Sequence, residues 1–421
     1  MLLLPNTRIL LAGAACVFTQ QLFAQPFHGW RGAYRDGIYS ETNLLKSWPD
    51  GGPQLLWEAD DAGKGYSSPV VVGDKLYITG LNENGDKEVF SAYTLEGKRL
   101  YQVEYGLPWA ASYSENRSTP TVVGDKAYVV SGMSEVVCLS VADGKILWKV
   151  DGAEKFSKKE GRWGTAESPL VFDGKVIYSP CGEKTTMVAL NAATGEVAWE
   201  SKPLGSAAAY VSPQLVHYKG KKQIVGVTSQ CAYGVNPENG NILWQFDEFP
   251  LNKKEDYKIC VNTPLFKDGK IYVSNGYNLG SFLLQLSDDL SSVELLWRNE
   301  DLDTHTGGFV LVNGTIYGSS WINNNKGNWV AVDWNTGVTK YDADWGNGKS
   351  KGSIISADNM LYCYDERRGV IGLVNATPEK FDVVSEFRVT KGEGPHWAHP
   401  VIHGGVLFAR HGSALMAYKI R

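Results

Sequence analysis

Short apolar runs separated by polar two-residue turns recur along most of the chain. A clear copy contains a small residue and a proline, an apolar run, a turn such as Gly-Asp or Asp-Gly, and a second apolar run. The clearest copies are SSPVVVGDKLYITG (67–80), STPTVVGDKAYVV (118–130), ESPLVFDGKVIYSP (167–180) and NTPLFKDGKIYVSNG (262–276). Runs of this kind indicate β-strands, and the turn dipeptides supply the positive φ angles of tight hairpins.

Four weaker copies bring the number of units to eight. They are VSPQLVHYKGKKQIVGV (211–227), GGFVLVNGTIYGSS (307–320), KGSIISADNMLYCY (351–364) and AHPVIHGGVLFARHG (398–412). The seven intervals from Pro69 to Pro400 span 331 residues, or about 47 residues per unit, which is typical of folds built from similar units packed side by side.

Each unit has a second half in which another hairpin closes through a glycine. Examples are VCLSVADGKILWKV (137–150), VALNAATGEVAWES (188–201), YGVNPENGNILWQF (233–246) and VAVDWNTGVTKYDA (330–343). An aromatic residue recurs at one position of the last strand, as Tyr101, Trp148, Trp199, Trp244, Trp297 and Tyr341. Four strands per unit, eight units and no helical period predict an all-β fold, an eight-bladed β-propeller of four-stranded antiparallel blades.

The two ends of the chain predict how the ring closes. The last unit ends at LMAYKIR (415–421), one strand short, whereas PQLLWEAD (53–60) is a fourth strand with no unit before it. We therefore expect the N-terminal strand to complete the last blade, which leaves no open sheet edge. Because no linker interrupts the repeats, residues 25–421 are expected to form a single domain.

The first 24 residues differ from the rest. Arg8 is their only charge, and the apolar run 9–18 is too short to span a bilayer, so residues 1–24 are predicted to be a cleaved signal peptide. Cys16 does not follow a typical lipoprotein signal, because Gly13 stands where leucine is preferred. The expected location is periplasmic or secreted, with no transmembrane segment.

Net charge and cysteine content exclude several classes of function. The net charge of −5 gives no cationic field to hold a phosphate backbone, so no nucleic-acid partner is expected. The five cysteines after the leader are widely scattered and odd in number, which favours neither a disulfide framework nor a zinc site. They are Cys138, Cys181, Cys231, Cys260 and Cys363.

The motifs NAATGEVAW (191–199) and VADGKILW (141–148) are similar to the tryptophan-docking motif of the PQQ-like (pyrroloquinoline-quinone-type) β-propeller repeat proteins, and WRGAYRDG (30–37) looks like the N-terminal signature of their exported bacterial members. The family includes quinoprotein alcohol dehydrogenases and an outer-membrane assembly lipoprotein, so the resemblance implies PQQ with calcium as a cofactor to consider. The dehydrogenases are longer and carry an adjacent Cys-Cys pair that this chain lacks. A C-x-x-C-H haem site is also absent from the sequence.

In a propeller, the loops that lead into the innermost strands gather on one face around the central channel, where ligands usually bind. We expect a ligand-binding ring there, and within it His305, His396, Lys258 and Tyr210 are candidate catalytic residues. Cations and aromatic rings together suit sugar stacking or an anionic group. The ring comprises Arg117, Trp163, Glu167, Tyr210, Lys258, Asn262, His305, Lys351, His396, Trp397 and His399, with Tyr66 beside it.

No metal site is assigned. His396 and His399 are three residues apart, so on a strand they point to opposite faces. Calcium beneath a quinone needs carboxylate and amide oxygens, for which Glu183, Asn275 and Asp365 are the nearest candidates. The segment SWINNNKGNW (320–329) is longer than its counterparts and is either a lid or a solvated loop.

Three functions remain open at this point. The chain is an exported scaffold that binds a ligand or a protein, a PQQ-dependent alcohol or sugar dehydrogenase, or a lyase or hydrolase of acidic polysaccharide. We adopt the first, because the sequence contains no recognisable catalytic set. The expected partner is a small-molecule or carbohydrate ligand, or an envelope protein, and the expected state is a monomer.

Overall fold

A computed structural model describes residues 28–158, 161–248, 259–346 and 350–421. The predicted signal peptide and Lys258 lie outside these residues. The described chain forms eight sheets, each with four antiparallel strands, that correspond to the eight sequence units, so the prediction of an eight-bladed, all-β propeller is confirmed. One short helix, α1 (Gly152–Phe156), follows the second blade, with Asp151 as its N-cap.

The strands of the first four blades follow one another in chain order, each paired with the next. Blade 1 contains β3 (Val70–Val72), β4 (Lys75–Leu81), β5 (Glu88–Thr94) and β6 (Arg99–Gly106). Blade 2 contains β7 (Thr121–Val123), β8 (Lys126–Val130), β9 (Glu135–Ser140) and β10 (Ile146–Asp151). Blade 3 contains β11 (Leu170–Phe172), β12 (Lys175–Tyr178), β13 (Val188–Asn191) and β14 (Val197–Glu200). Blade 4 contains β15 (Gln214–Tyr218), β16 (Lys221–Val227), β17 (Ala232–Val235) and β18 (Ile242–Phe246).

The remaining blades repeat this order, and two of them recruit N-terminal strands, β1 (Ile38–Tyr39) and β2 (Gln54–Ala59). Blade 5 contains β19 (Leu265–Lys267), β20 (Lys270–Ser274), β21 (Ser281–Leu286) and β22 (Val293–Asn299). Blade 6 contains β23 (Thr304–Val312), β24 (Thr315–Ser320), β25 (Trp329–Asp333) and β26 (Thr339–Ala343). Blade 7 contains β27 (Gly352–Ala357), β28 (Met360–Asp365), β29 (Val370–Asn375) and β30 (Asp382–Arg388), and blade 8 contains β31 (Val401–His403), β32 (Val406–His411) and β33 (Ala414–Lys419).

The ring closes as predicted. Strand β2 pairs antiparallel with β33, so the N-terminal strand supplies the fourth strand of blade 8. Arg410 of blade 8 adds a second connection, because its fully buried guanidinium donates hydrogen bonds to the carbonyl oxygens of Gly63, Ser67 and Thr79 around blade 1. A buried arginine that satisfies several carbonyls at once fixes the position of one blade against the next.

The recurring aromatic on five of the outer strands docks onto the next blade. The indole N–H of Trp148 donates to the Ala192 carbonyl at 3.0 Å, and its ring covers Gly195 so closely that an added Cβ would lie 2.8 Å from it. Glycine is required at position 195 for two reasons, because its φ of +75° is also unfavourable for residues with a Cβ. Four other residues make the same bond, namely Trp57 to Leu95, Tyr101 to Val141, Trp199 to Pro237 and Trp297 to Trp334.

Trp244 and Tyr341 occupy the same strand position without this docking. Trp244 donates instead to Gln223 of its own blade at 3.0 Å. Tyr341 packs against Phe381 of blade 7. In both places the corresponding hairpin of the next blade lacks the glycine, so no flat surface exists on which the ring can lie.

The first part of the segment before β2, residues 28–39, runs inside the ring, which the repeat pattern does not predict. His28 forms an antiparallel bridge with Val122 of blade 2. Strand β1 then pairs in parallel with β27, the innermost strand of blade 7. The WRGAYRDG motif therefore lies in the central channel, between blades 2 and 7.

Apolar side chains fill the spaces between neighbouring blades. Ile355 and Tyr362 of blade 7, for example, are in one cluster with Leu407 and Met416 of blade 8. The five cysteines after residue 28 are all free, in agreement with the expectation that they form no disulfide framework. Within the described ranges, no helix has the length and apolar character needed to cross a bilayer.

Candidate functional site

A cavity of about 460 Å³ opens where the loops between blades meet the central channel. We call it the channel cavity. Its volume is within the range of small-molecule pockets in proteins. Residues from all eight blades' loops and from the N-terminal segment contribute to its wall, so it is a feature of the closed ring and not of any single blade.

Six of the predicted ring residues meet at this cavity. They are Arg117, Trp163, Tyr210, His305, Lys351 and Trp397. Each precedes or begins an innermost strand of a different blade or follows an inter-blade loop. The closed ring thus brings together residues that are up to 280 positions apart in the sequence. Their role in ligand binding remains a prediction.

Four other predicted residues lie outside the cavity wall. Glu167 is buried and accepts hydrogen bonds from the Ser179 backbone, while Asn262 donates to the carbonyl oxygens of neighbouring strands. His396 stacks on His411 with ring centroids 3.6 Å apart, and His399 binds Arg31. These side chains are not part of the cavity wall, and their predicted role in ligand binding stays untested. Lys258 is not among the described residues.

Arg117 is held by backbone oxygens alone. Its guanidinium donates to the carbonyl oxygens of Ser112, Tyr113 and Trp163. It forms no ion pair with any described carboxylate, although Glu88 and Glu115 are near enough to favour its charged form. Burial lowers the pKa of Arg117. The group nevertheless stays protonated at neutral pH, so it presents at the cavity a positive charge that no direct ion pair with a described carboxylate neutralises.

Lys351 and Glu366 form a buried ion pair in the wall. The ammonium and the carboxylate are in direct contact, and both side chains are almost completely buried. Burial raises the pKa of Glu366, and the positive charge of Lys351 opposes that rise. Since these two charges compensate each other, the remaining cations of the cavity are Arg117 and Arg367.

His305 is a neutral histidine at the cavity wall. Its Nε2 atom is 2.9 Å from the hydroxyl oxygen of Tyr277. Burial lowers the pKa of His305 to about 3, and the positive charge of Lys351 acts in the same direction. An imidazole with such a pKa is a weak general base, because catalytic efficiency depends on a pKa near the working pH.

Aromatic rings form a large part of the wall. Tyr66 and Tyr113 both pack against Trp397, at tilts of 58° and 54°. Trp163 and Tyr210 form a second pair at 58°, joined by a hydrogen bond from the Trp163 backbone N–H to the tyrosine hydroxyl. The tilted rings give the cavity a bowl of apolar faces.

Two of the cavity aromatics have left-handed backbone conformations. Tyr113 has a φ of +45° and Tyr277 a φ of +59°. Such angles are unfavourable for bulky residues and persist where surrounding structure fixes them, commonly at binding sites. Both residues line the cavity.

The sequence reading missed several residues of the wall. Trp30 comes from the WRGAYRDG segment, Tyr113 from a long inter-blade loop, and Glu366 from the turn after β28. The repeat pattern assigns positions only to strands and hairpins, so loop residues outside the register gave no signal. The one available clue was the aromatic and cationic composition of the N-terminal motif.

The oxygen ligands that calcium would need do not converge here. Asp365 is bound by Arg368 and by two backbone N–H groups, and Asn275 accepts from the Cys260 thiol. Neither these two residues nor Glu183 lines the cavity, whose one described carboxylate, Glu366, is paired with Lys351. Within the described chain no three His, Cys, Asp or Glu side chains form a metal-binding group. The donor set of the cavity therefore does not fit a calcium-bound quinone.

Comparisons with known proteins extend this description. An uncharacterised protein of Rickettsia conorii is 24% identical over 336 residues, which are 76% of this chain and 71% of the relative. The crystal structure of BamB from Moraxella catarrhalis is similar over 87% of this chain and all of that one, with a TM-score of 0.63 and 14% identity. A quinohemoprotein alcohol dehydrogenase from Comamonas testosteroni is similar over 94% of this chain and 80% of that one, with a TM-score of 0.65 and 11% identity.

The structural likenesses show the fold alone, because both identities are low. The family model described as outer membrane protein assembly factor BamB matches residues 91–377, which is more than half of the chain. This match agrees with the eight blades and the docked aromatic residues of the structure. The chain belongs to the BamB family of PQQ-like β-propellers.

Proposed function

We propose that the protein is a ligand-binding propeller of the cell envelope and that its channel cavity binds a small acidic carbohydrate. The observation that carries this proposal is the composition of the cavity wall. It combines two arginines that form no direct ion pair with a described carboxylate and several tilted aromatic rings. The predicted signal peptide and the family support an envelope location. A monomer is expected, because a closed ring of blades leaves only short, protected sheet edges for pairing with another copy.

The charges of the cavity favour an anion. The guanidinium groups of Arg117 and Arg367 donate only to backbone oxygens, at Ser112, Tyr113 and Trp163 for the first and at Asn325 for the second. The whole chain is acidic, with a net charge of −5, so a cationic cavity stands out against it. An arginine without a carboxylate partner binds the planar carboxylate of a ligand with paired hydrogen bonds.

The uncharged groups of the cavity favour a sugar. Rings tilted by more than 50° to one another offer faces to a puckered molecule, whereas a flat cofactor is best held between parallel faces. Hydroxyl and amide groups that suit sugar hydroxyls stand beside the rings. They include Ser168, Ser212, Thr263, Thr306, Asn324 and Asn325.

Catalysis finds less support in this arrangement. Among the candidate bases, His305 has a pKa of about 3, and His396 lies outside the cavity wall. The hydroxyl of Tyr210 accepts a hydrogen bond from the Trp163 backbone, which favours a positioning role. We therefore propose binding, and treat turnover of an acidic polysaccharide or oxidation of an alcohol as outcomes that the same assay would reveal.

A second candidate function is docking of an envelope protein, which the match to an outer membrane protein assembly factor favours. The two functions differ in what competes for the site. If a docked protein segment occupies the channel cavity, an acidic saccharide should displace it. If the protein docks elsewhere, both should bind at once, so a competition experiment distinguishes one shared site from two separate sites.

The proposal is tested by titrating the full chain with digalacturonate and with the neutral disaccharide cellobiose. Binding is followed by calorimetry and by tryptophan fluorescence, since three tryptophans, Trp30, Trp163 and Trp397, line the cavity. We expect digalacturonate to bind at least tenfold more tightly than cellobiose and to remain intact after incubation. Equal affinities, or no binding of either sugar, would contradict the proposal.

A further inference from the structure

We propose that the N-terminal segment 28–39 is a built-in plug of the channel and that Trp30 is a specificity-determining contact for the ligand. The plug closes the channel cavity at one end, and the side chain of Trp30 sets the depth of the cavity. The inference rests on the proposed binding function for the ligand contact. The presence of Trp30 in the cavity wall does not depend on the identity of the ligand and has its own test.

Trp30 connects the plug with the cavity. Its side chain lines the channel cavity and is partly exposed there. On its other side the indole meets the ring of His399 edge to face, with centroids 4.5 Å apart. The residue is thus supported from behind and open in front, as a stacking surface for a ligand should be.

Two buried arginines fasten the plug to the innermost strands. Arg31 donates to the carbonyl oxygens of Phe309 and Ile354 and to His399, which belong to blades 6, 7 and the entry to blade 8. Its side chain fills the space above Gly308, where an added Cβ would lie 2.4 Å from Nη1. Only glycine leaves room for the guanidinium to pass at this point.

Arg35 makes the matching contacts on the opposite side of the channel. It donates to the carbonyl oxygens of Ser168, Pro169 and Pro213, at blades 3 and 4. Arg31 and Arg35 both have positive φ angles, +58° and +56°. A non-glycine backbone persists in this region when its surroundings hold it, so the plug is a fixed part of the ring.

The plug also completes the hydrogen bonding of two inner strand edges. The Val122 N–H donates to the His28 carbonyl at 2.8 Å, and the Ser356 N–H donates to the Gly37 carbonyl at 2.9 Å. Innermost strands of a propeller otherwise present unpaired edges to the channel. These two amides report whether the plug is seated, because their exchange with solvent depends on the bond.

The first experiment measures digalacturonate affinity in variants of the full chain. We expect Trp30→Ala to weaken binding by about tenfold, the effect of losing one ring-stacking contact, and Trp30→Phe to stay within about threefold of the native protein. Tyr34→Ala is the matched control, since Tyr34 is on the same plug but 75% exposed and away from the cavity. Slow exchange of the Val122 and Ser356 amides in Trp30→Ala would show that the plug is still seated.

Native affinity in Trp30→Ala, with a large loss in Trp163→Ala, would overturn the role of Trp30 while leaving the proposed function intact. Failure of the native protein to bind digalacturonate would instead reject the proposed ligand. The position of Trp30 then requires a measurement that does not depend on the sugar.

The second experiment uses the thiol of a Trp30→Cys variant, checked for a native unfolding temperature. We expect sulfonatoethyl methanethiosulfonate, which is anionic, to modify it faster than the cationic trimethylammonioethyl reagent, because the free charges of the cavity are arginines. The native chain measures background, since four of its described cysteines are buried and Cys181 is partly so. A thiol that neither reagent reaches in the folded protein would overturn the assignment of Trp30 to the cavity.

Discussion

The guanidinium of Arg31 donates a hydrogen bond to Nδ1 of His399 at 2.7 Å, across 368 positions of sequence. Arginine has no acceptor, so Nδ1 of the histidine must be unprotonated. Nε2 of the same ring then carries the proton and donates it to the Thr306 carbonyl at 2.9 Å. This one buried contact fixes the tautomer of His399 and holds the plug segment against the innermost strands. It also positions the His399 ring that packs against Trp30.

Loss of Arg31 should unseat the plug. Arg31→Ala removes four hydrogen bonds and leaves buried acceptors at Phe309, Ile354 and His399, for an expected loss of about 3 kcal/mol in the free energy of unfolding. Equilibrium urea unfolding measures the change. Arg162→Ala, which removes an exposed arginine, is the control and should stay within about 0.5 kcal/mol of the native value. Equal effects of the two substitutions would show that the plug does not stabilise the ring.

His399 should make stability depend on pH in a defined window. Burial, and then the charge of Arg31, lower the pKa of His399 well below its usual value of 6.5. The unfolded chain therefore takes up a proton below pH 6.5 that the folded chain rejects, and the stabilisation present above that pH is lost progressively on acidification. His399→Asn keeps an acceptor for Arg31 but cannot titrate.

The difference between the native protein and His399→Asn isolates this effect, because the other titrating groups are common to both. The free energy of unfolding of the native protein, relative to that of His399→Asn, should fall by about 2 kcal/mol between pH 7.5 and pH 5.0. Urea unfolding at the two pH values measures it. An advantage that does not change with pH would mean that His399 titrates normally in the folded state.

The docking of outer-strand aromatics predicts unequal costs at two glycines with similar backbones. Gly174→Ala, at φ +70° with open space around it, should cost about 1 kcal/mol from backbone strain alone. Gly195→Ala, at φ +75°, also pushes against the Trp148 ring and should cost about 3 kcal/mol. Thermal and urea unfolding of both variants test the comparison. Similar costs would indicate that the ring of Trp148 moves aside freely.

Arg117 should determine the preference for an acid. Arg117→Gln removes the charge that faces the ligand, so digalacturonate affinity should fall roughly tenfold to a hundredfold while cellobiose affinity changes little. A loss that affects both sugars equally would point to a structural role through its bonds to Ser112, Tyr113 and Trp163. Arg388→Gln is the control, because this exposed arginine does not line the cavity.

The repeat made the fold accessible from sequence. Hairpin glycines and the aromatic at one position of each outer strand are local signals, and the orphan strand around Trp57 predicted closure correctly. Where a local signal lacked its partner the prediction was incomplete, as for Trp244, whose neighbouring hairpin has no glycine to receive it. Propeller blades are nearly independent units, which is why their number and order follow from the pattern.

Only part of the channel cavity could be predicted from the sequence. Arg117, Trp163 and Trp397 stand next to innermost strands, so their register pointed to the channel; all three line the cavity, and their part in ligand binding stays a prediction. Trp30 and Arg31 could not be placed, because nothing in a strand pattern states that an N-terminal segment returns into the ring. His396 and His399 have the register of wall residues, yet neighbours that the sequence does not reveal, His411 and Arg31, turn them into supports.

The central claim, that the channel cavity is the ligand site, is tested most directly by the crystal structure of the full chain with digalacturonate. We predict density for one sugar in the cavity, with a carboxylate within hydrogen-bond distance of Arg117 and a ring face against Trp30 or Trp163. A complex in which the sugar lies outside the channel cavity, or in which its carboxylates face solvent while Arg117 binds only Ser112, Tyr113 and Trp163, would contradict the account.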